Sequence, residues 1–132
     1  MPRVPSITLR VLPACAAVLL AGCASTAQHA GPALAGEYQR GDIVVLFGAD
    51  GSTRGSTVHG DEWQRGVYTV DGDRVQITDQ WMADAYRDTS CVGKGTGTYR
   101  WRLAGDALTL EPIDEPCASR AEGVTGGAWT RR

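Results

Sequence analysis

From Gly36 onward, apolar and polar residues alternate with a period of two, in three similar stretches. Gly36-Glu37-Tyr38 leads to Gly41-Asp42, Gly66-Val67-Tyr68 to Gly72-Asp73, and Gly97-Thr98-Tyr99 to Gly105-Asp106. Each unit reads as Gly-x-Tyr, a short strand, a Gly-Asp turn and a return strand. In the second unit Tyr68 and Val70 share a face with Val75 and Ile77, while Thr69, Arg74, Gln76 and Thr78 take the other. In the third, Tyr99, Trp101 and Leu103 join Leu108 and Leu110 opposite Arg100, Arg102, Thr109 and Glu111. Successive side chains of a strand point to opposite faces, so the pattern predicts antiparallel hairpins with one dry face. Asp71-Gly72 and Ala104-Gly105-Asp106 supply turn chemistry, with glycine taking the positive φ such turns need. Hairpins at regular spacing, with hardly any helical pattern, predict an all-β meander that curls into a barrel or closes into a sandwich.

The first unit is apolar on both faces, in Ile43-Val44-Val45-Leu46-Phe47. If its Gly-Asp turn sets the register of the other two, Val44 and Leu46 point inward and Ile43, Val45 and Phe47 point out. The resulting outer stripe is either covered by the tether or a terminal segment, or is a partner surface. Ala49-Asp50-Gly51-Ser52 predicts a turn, Thr53 to Val58 a polar strand, and Gln80 to Asp88 a helical turn with Trp81 and Ala85 on one face. Gly126 to Arg131 reads as a closing strand with Trp129 directed into the core.

Ahead of this pattern stand Arg3, Arg10 and an apolar run from Val11 to Leu20, the plan of a secretory signal. The run is too short for a bilayer span, which takes about 20 apolar residues. Leu20-Ala21-Gly22-Cys23 resembles the signal-peptidase II site of bacterial lipoproteins, whose cysteine is acylated and becomes the mature N-terminus. The resemblance implies a signal peptide over 1–22, a lipid on Cys23, and a bacterial envelope location. A cysteine bearing two or three acyl chains is a stable anchor, each buried methylene contributing roughly 0.8 kcal/mol. The competing reading is an ordinary secretory signal with an incidental cysteine. Residues 23–34 read as the lipidated N-terminus and a flexible Ala/Ser/Gly tether containing His29, and 35–132 as the folded domain. Ala24, where enterobacterial sorting uses aspartate to retain proteins in the inner membrane, implies an outer-membrane address facing the periplasm.

Without that leader about 110 residues remain, enough for one domain and small enough to gain from a covalent staple. Eleven basic residues then face fifteen acidic ones, a balance of about four negative charges that argues against a nucleic-acid partner. Of the four cysteines, Cys15 leaves with the leader and Cys23 takes the lipid, so Cys91 and Cys117 are left as a pair in an oxidising compartment. A disulfide between them closes a loop of about 25 residues and contributes roughly 3 kcal/mol in the chain-entropy account. The alternative, a thiol metal or redox site, lacks Cys-x-x-Cys spacing and a histidine partner.

Gly-x-Tyr-x-Trp-x-Leu, Gly-Asp-x-Leu-x-Leu, Asp114-Glu115-Pro116-Cys117-x-x-Arg120 and the final Trp-Thr-Arg resemble small bacterial lipocalin-like (calycin-type) exported proteins. The resemblance covers about a third of the mature chain. It implies an up-and-down β-barrel and a cavity for a small apolar ligand. The chain departs from that family in carrying Gly36-Glu37-Tyr38 where lipocalins open with Gly-x-Trp, and in being short, which bears on the cavity more than on the fold. An eight-stranded barrel is just wide enough either to be filled by its own side chains or to hold one small ligand. Tyr38, Tyr68, Tyr99, Trp101 and Leu110 are the candidate interior contacts, and the rings among them are also able to fill a small barrel as plain core.

Catalytic patterns are missing. No Gly-x-Ser-x-Gly elbow occurs, and Ser90 beside Cys91 has no evident base. His59 with Asp61 and Glu62 could make a weak metal site, though solvated loop polarity is the plainer account. Asp114 and Glu115 are adjacent and make a poor acid/base pair, whereas Arg120 is placed to pair with Asp114 and close the barrel mouth. The expectation is a noncatalytic, cofactor-free lipoprotein that binds a small apolar molecule or lipid. The alternative is a protein-interaction module, such as a lipoprotein inhibitor of a secreted hydrolase, using Ile43, Val45 and Phe47. In cells fed labelled palmitate, the intact chain takes up label and sediments with membranes, while Cys23→Ala does neither; label on the alanine variant would refute the lipid site.

Overall fold

The structure, a computed structural model, describes residues 33–132; the leader, Cys23 and His29 lie outside the described residues. Eight antiparallel strands run in sequence order: β1 Gly36–Arg40, β2 Ile43–Phe47, β3 Ser52–Thr57, β4 Glu62–Asp71, β5 Arg74–Met82, β6 Gly97–Ala104, β7 Ala107–Asp114 and β8 Trp129–Arg131. Each pairs with the next, and β8 returns to β1 through Tyr38↔Arg131 and Gln39↔Thr130, closing the barrel. Closure gives each of the described strands a neighbour on both sides. The three turn glycines, Gly41, Gly72 and Gly105, sit at φ 58°, 59° and 58°, so one left-handed turn recurs in all three hairpins.

In the second and third hairpins the alternation reads as expected: Tyr68↔Ile77, Val70↔Val75 and Leu103↔Leu108 pair directly. In the first it does not. Tyr38 pairs with Val45 and Gly36 with Phe47, and directly paired residues share a face. Ile43, Val45 and Phe47 therefore point into the barrel, and Val44 and Leu46 take the other face. The cause lies in the spacing. Tyr68 and Tyr99 precede their turn glycines by four and six residues, but Tyr38 precedes Gly41 by three, an odd step that reverses which return-strand residues face inward. The outer apolar stripe expected at Ile43, Val45 and Phe47 is thus an inner one.

The barrel has two unlike poles. At one, Phe47 packs edge-on against Tyr38 and Tyr68, with ring centroids 6.0 and 5.0 Å away. The Tyr38 hydroxyl donates to the Leu34 carbonyl at 2.8 Å and the Tyr68 hydroxyl to Gly48 at 2.8 Å, so each phenol finds an acceptor while its ring stays dry. Arg131 Nη2 donates to the carbonyls of Ala33 and Ala35 and to the Tyr38 hydroxyl, at 2.9, 3.1 and 2.9 Å. Leu34, placed by its composition in the tether, is fully buried and belongs to the core. This pole is closed.

The other pole carries the long connections. Residues after β5 form the 3-10 helix Asp84–Thr89, in place of the looser helical turn expected over Gln80 to Asp88, and Trp81 remains in the strand. Between β7 and β8 lies α1, Ala118–Thr125, which no sequence period announced. Cys91 and Cys117 form the disulfide, joining these two connections with their Cα atoms 5.8 Å apart. The double variant Cys91→Ser/Cys117→Ser loses about 3 kcal/mol of unfolding free energy and melts about 15 °C lower; an unchanged melting temperature would mean the bridge is not what holds this pole.

A buried charge cluster in the wall of a barrel cavity

Three interior positions next to the aromatic layer are polar: Thr53 on β3, Gln64 on β4 and Asp79 on β5. All three are buried, and they meet. Gln64 Nε2 donates to Thr53 Oγ1 at 3.1 Å and to Asp79 Oδ1 at 2.9 Å. The extended alternation Val75, Ile77, Asp79 places the carboxylate inside as surely as the valine, so this inward acid was readable from the sequence though not singled out. Gln64 likewise shares its face with Tyr68 on β4.

Into this polar strip reaches Arg120 from α1. Its Nε and Nη2 each donate to a Glu115 oxygen at 2.8 Å, a two-pronged pair, and Nη2 also donates to the Gly95 carbonyl at 2.9 Å. Its Nη1 stands 3.5 Å from Asp79 Oδ2, too long for a good hydrogen bond, and has no hydrogen-bond partner among the described residues. The side chains of Arg120, Asp79 and Glu115 are 4%, 6% and 3% exposed, so these charges are out of water. The pairing expected between Arg120 and Asp114 is not made: Asp114 is exposed at the end of β7, and its neighbour Glu115 turns inward instead. Glu115 also accepts from the Tyr99 hydroxyl and, at 2.8 Å, from the Cys117 N–H.

These contacts divide the two acids. Burial alone would raise the Glu115 pKa, but Arg120, the Tyr99 hydroxyl and the Cys117 N–H together hold it below the ordinary glutamate value. Burial pushes Asp79 up, and this outweighs the charge of Arg120 and the hydrogen bond from Gln64. Burial and then the Glu115 carboxylate push the Tyr99 phenol up, so it stays a donor. The cluster also explains Gly97: a Cβ there would collide with Glu115 Oε2, so no other residue leaves room for the carboxylate where it stands.

A cavity of about 650 Å³ fills the barrel at this pole. Thr53, Gln64, Asp79 and Arg120 form one wall; Ile43, Val45, Phe47, Leu110, Val124 and Trp129 are among the apolar side chains that line the rest. A register shift between β3 and β4, where Gly55 faces Gln64 but Ser56 faces Glu62, leaves Trp63 as the extra residue, and it too lines the space. Tyr86 of the 3-10 helix lies against Trp63 at 5.9 Å and, like Ile43, is partly exposed at the rim.

Of the five expected interior contacts, Leu110 lines the cavity. Tyr38 and Tyr68 fill the closed pole, and the Tyr99 hydroxyl is committed to Glu115. Trp101 is partly buried beside the core, its Nε1 donating to Gly72 at 3.0 Å. Ile43, Val45 and Phe47, expected outside, are cavity residues. Among the described residues no group of three or more His, Cys, Asp or Glu is gathered around one point, and His59 sits on an exposed loop. The chain matches no protein-family model, no curated protein and no solved structure.

Removing one partner of a buried ion pair leaves the other charge uncompensated and costs about 3–5 kcal/mol, whereas replacing both with apolar groups costs far less. Glu115→Gln is therefore expected to lose stability of that order in urea unfolding at pH 7, and Glu115→Leu/Arg120→Met less than either single change. Because folding lowers the Glu115 pKa, its contribution is complete above the ordinary glutamate range and is lost as pH falls through the lowered value. The gap between wild type and Glu115→Gln must accordingly narrow in acid; a constant gap would refute the ion-pair account.

Proposed function

We propose that this chain is a noncatalytic, lipid-anchored protein of the bacterial envelope whose barrel holds a small, largely apolar molecule. One observation carries the binding part: the 650 Å³ cavity, within the roughly 300–1,000 Å³ range of ligand sites and lined mostly by hydrocarbon with a few converging polar groups. Tyr38, Phe47 and Tyr68 are gathered at the closed pole, and the other half of the barrel is left as space walled in part by Trp63 and Trp129. The envelope part is supported by Leu20-Ala21-Gly22-Cys23 and by the disulfide, which suits an oxidising compartment. The rival reading as a protein-interaction module drew on an outward stripe at Ile43, Val45 and Phe47; these side chains line the cavity, and no other observation favours it.

The test uses the full chain carrying Cys23→Ala, so that no acyl chain competes. The neutral fluorophore N-phenyl-1-naphthylamine should bind with enhanced, blue-shifted emission at about one molecule per chain. Val124→Trp, which adds an indole to the wall from α1, should weaken that binding about tenfold while the far-UV spectrum is unchanged. Absence of saturable binding, or binding indifferent to the added indole, would defeat the proposal.

A further inference from the structure

The polar wall of the cavity is not needed to hold an apolar guest, and its charges do not balance. Arg120 gives both prongs of its fork to Glu115 and offers Asp79 only the longer approach of Nη1. Asp79 is left with two polar contacts, the 2.9 Å hydrogen bond from Gln64 on Oδ1 and the 3.5 Å approach of Arg120 Nη1 to Oδ2. A donor closed off from solvent and without a hydrogen-bond partner among the described residues, and an acceptor without a close one, thus stand 3.5 Å apart beside the cavity, and a third atom bonds both only by parting them. Native interiors rarely leave such groups unmatched, and an unmatched pair at a binding site is a place for a ligand atom or a bound water.

The chemistry of that atom is constrained from both sides. It has to accept from the Nη1 N–H and donate to Oδ2. A carboxylate accepts but cannot donate, and it brings a negative charge beside Asp79, in a cluster where two acids already share one guanidinium. An ammonium donates but stands against Arg120. An ether or ester oxygen only accepts. A hydroxyl does both and carries no charge.

Resting on the cavity-binding reading, we infer that the guest is a neutral amphipathic alcohol whose hydroxyl bridges Arg120 Nη1 and Asp79 Oδ2 while its hydrocarbon lies against Val45, Phe47, Leu110 and Trp129. Thr53 and Gln64 hold Asp79 in place for this contact and act as positioning residues.

Displacement of N-phenyl-1-naphthylamine from the full chain carrying Cys23→Ala separates the possibilities. The competitors are 1-octanol, its isomer methyl heptyl ether, and octanoate, all at pH 7.4. The two isomers differ in the ability to donate, so the alcohol should compete about tenfold better than the ether, the worth of one hydrogen bond to a charged group. It should also outcompete octanoate. Asp79→Asn, with its folding checked by circular dichroism and melting, removes the charge and, with its amide oxygen kept toward Gln64, puts a donor where the Oδ2 acceptor stood: the advantage of the alcohol over the ether disappears and octanoate competes better than before. A role of Asp79 in folding alone would not reverse this ranking. Equal competition by alcohol and ether would overturn the inference, because water then satisfies the gap, and would leave the cavity reading standing. Stronger binding of octanoate than of octanol to the Asp79 chain would also overturn it. If the fluorophore itself fails to bind, the cavity reading falls with it.

Discussion

One guanidinium organises the half of the barrel that differs from a filled one. Arg120 ties α1 to the end of β7 through Glu115, to β5 through Asp79 and to the loop before β6 through the Gly95 carbonyl. Helix α1 needs such ties. At eight residues it is shorter than the 12–15 a helix needs to persist alone, and no side chain caps its start. Its place is set from outside, by the disulfide at Cys117, by Arg120, and by the Trp129 Nε1 donating to the Val124 carbonyl at 3.0 Å. A buried ion pair of this kind adds little net stability over a well-packed apolar alternative. What it does here is fix where a short helix lies, and with it the wall of the cavity.

The division between filled and empty halves follows from where the large side chains fall along the strands. Tyr38, Phe47 and Tyr68 all lie toward the closed pole, where each phenol finds a backbone carbonyl. Toward the open pole the inward positions are smaller or polar: Thr53, Gln64 and Asp79, with glycine at 55 and 66. These cannot fill the barrel's width, and the helical connections roof the space without plugging it. Gln64 donates to both Thr53 and Asp79, and that is the one good hydrogen bond Asp79 receives, which is why the wall retains chemistry.

The hairpins were legible because period-two alternation and a repeated left-handed glycine turn are local signals, read residue by residue. The first hairpin shows how narrow that legibility is. One residue fewer between Tyr38 and Gly41 turned Ile43, Val45 and Phe47 from surface to lining, since a single step flips every side chain of a strand. The disulfide could be inferred by elimination among four cysteines. The cluster could not, because its members are brought together by closure: Asp79 and Glu115 lie far apart in sequence, and choosing Glu115 over Asp114 for Arg120 depends on a turn no pattern marks. Nor does α1 have an apolar stripe that would have announced it.

The clamp at the closed pole has a geometric consequence. Arg131 and Tyr38 grip the backbone at Ala33, Leu34 and Ala35, so the described chain begins pinned at the pole away from the cavity mouth. The clamp and the cavity mouth then occupy opposite ends of one barrel. Pulling on the leading end loads β1 against β8 at the seam of the barrel, and the entrance, stitched on its own side by sulfur, stays out of the line of force.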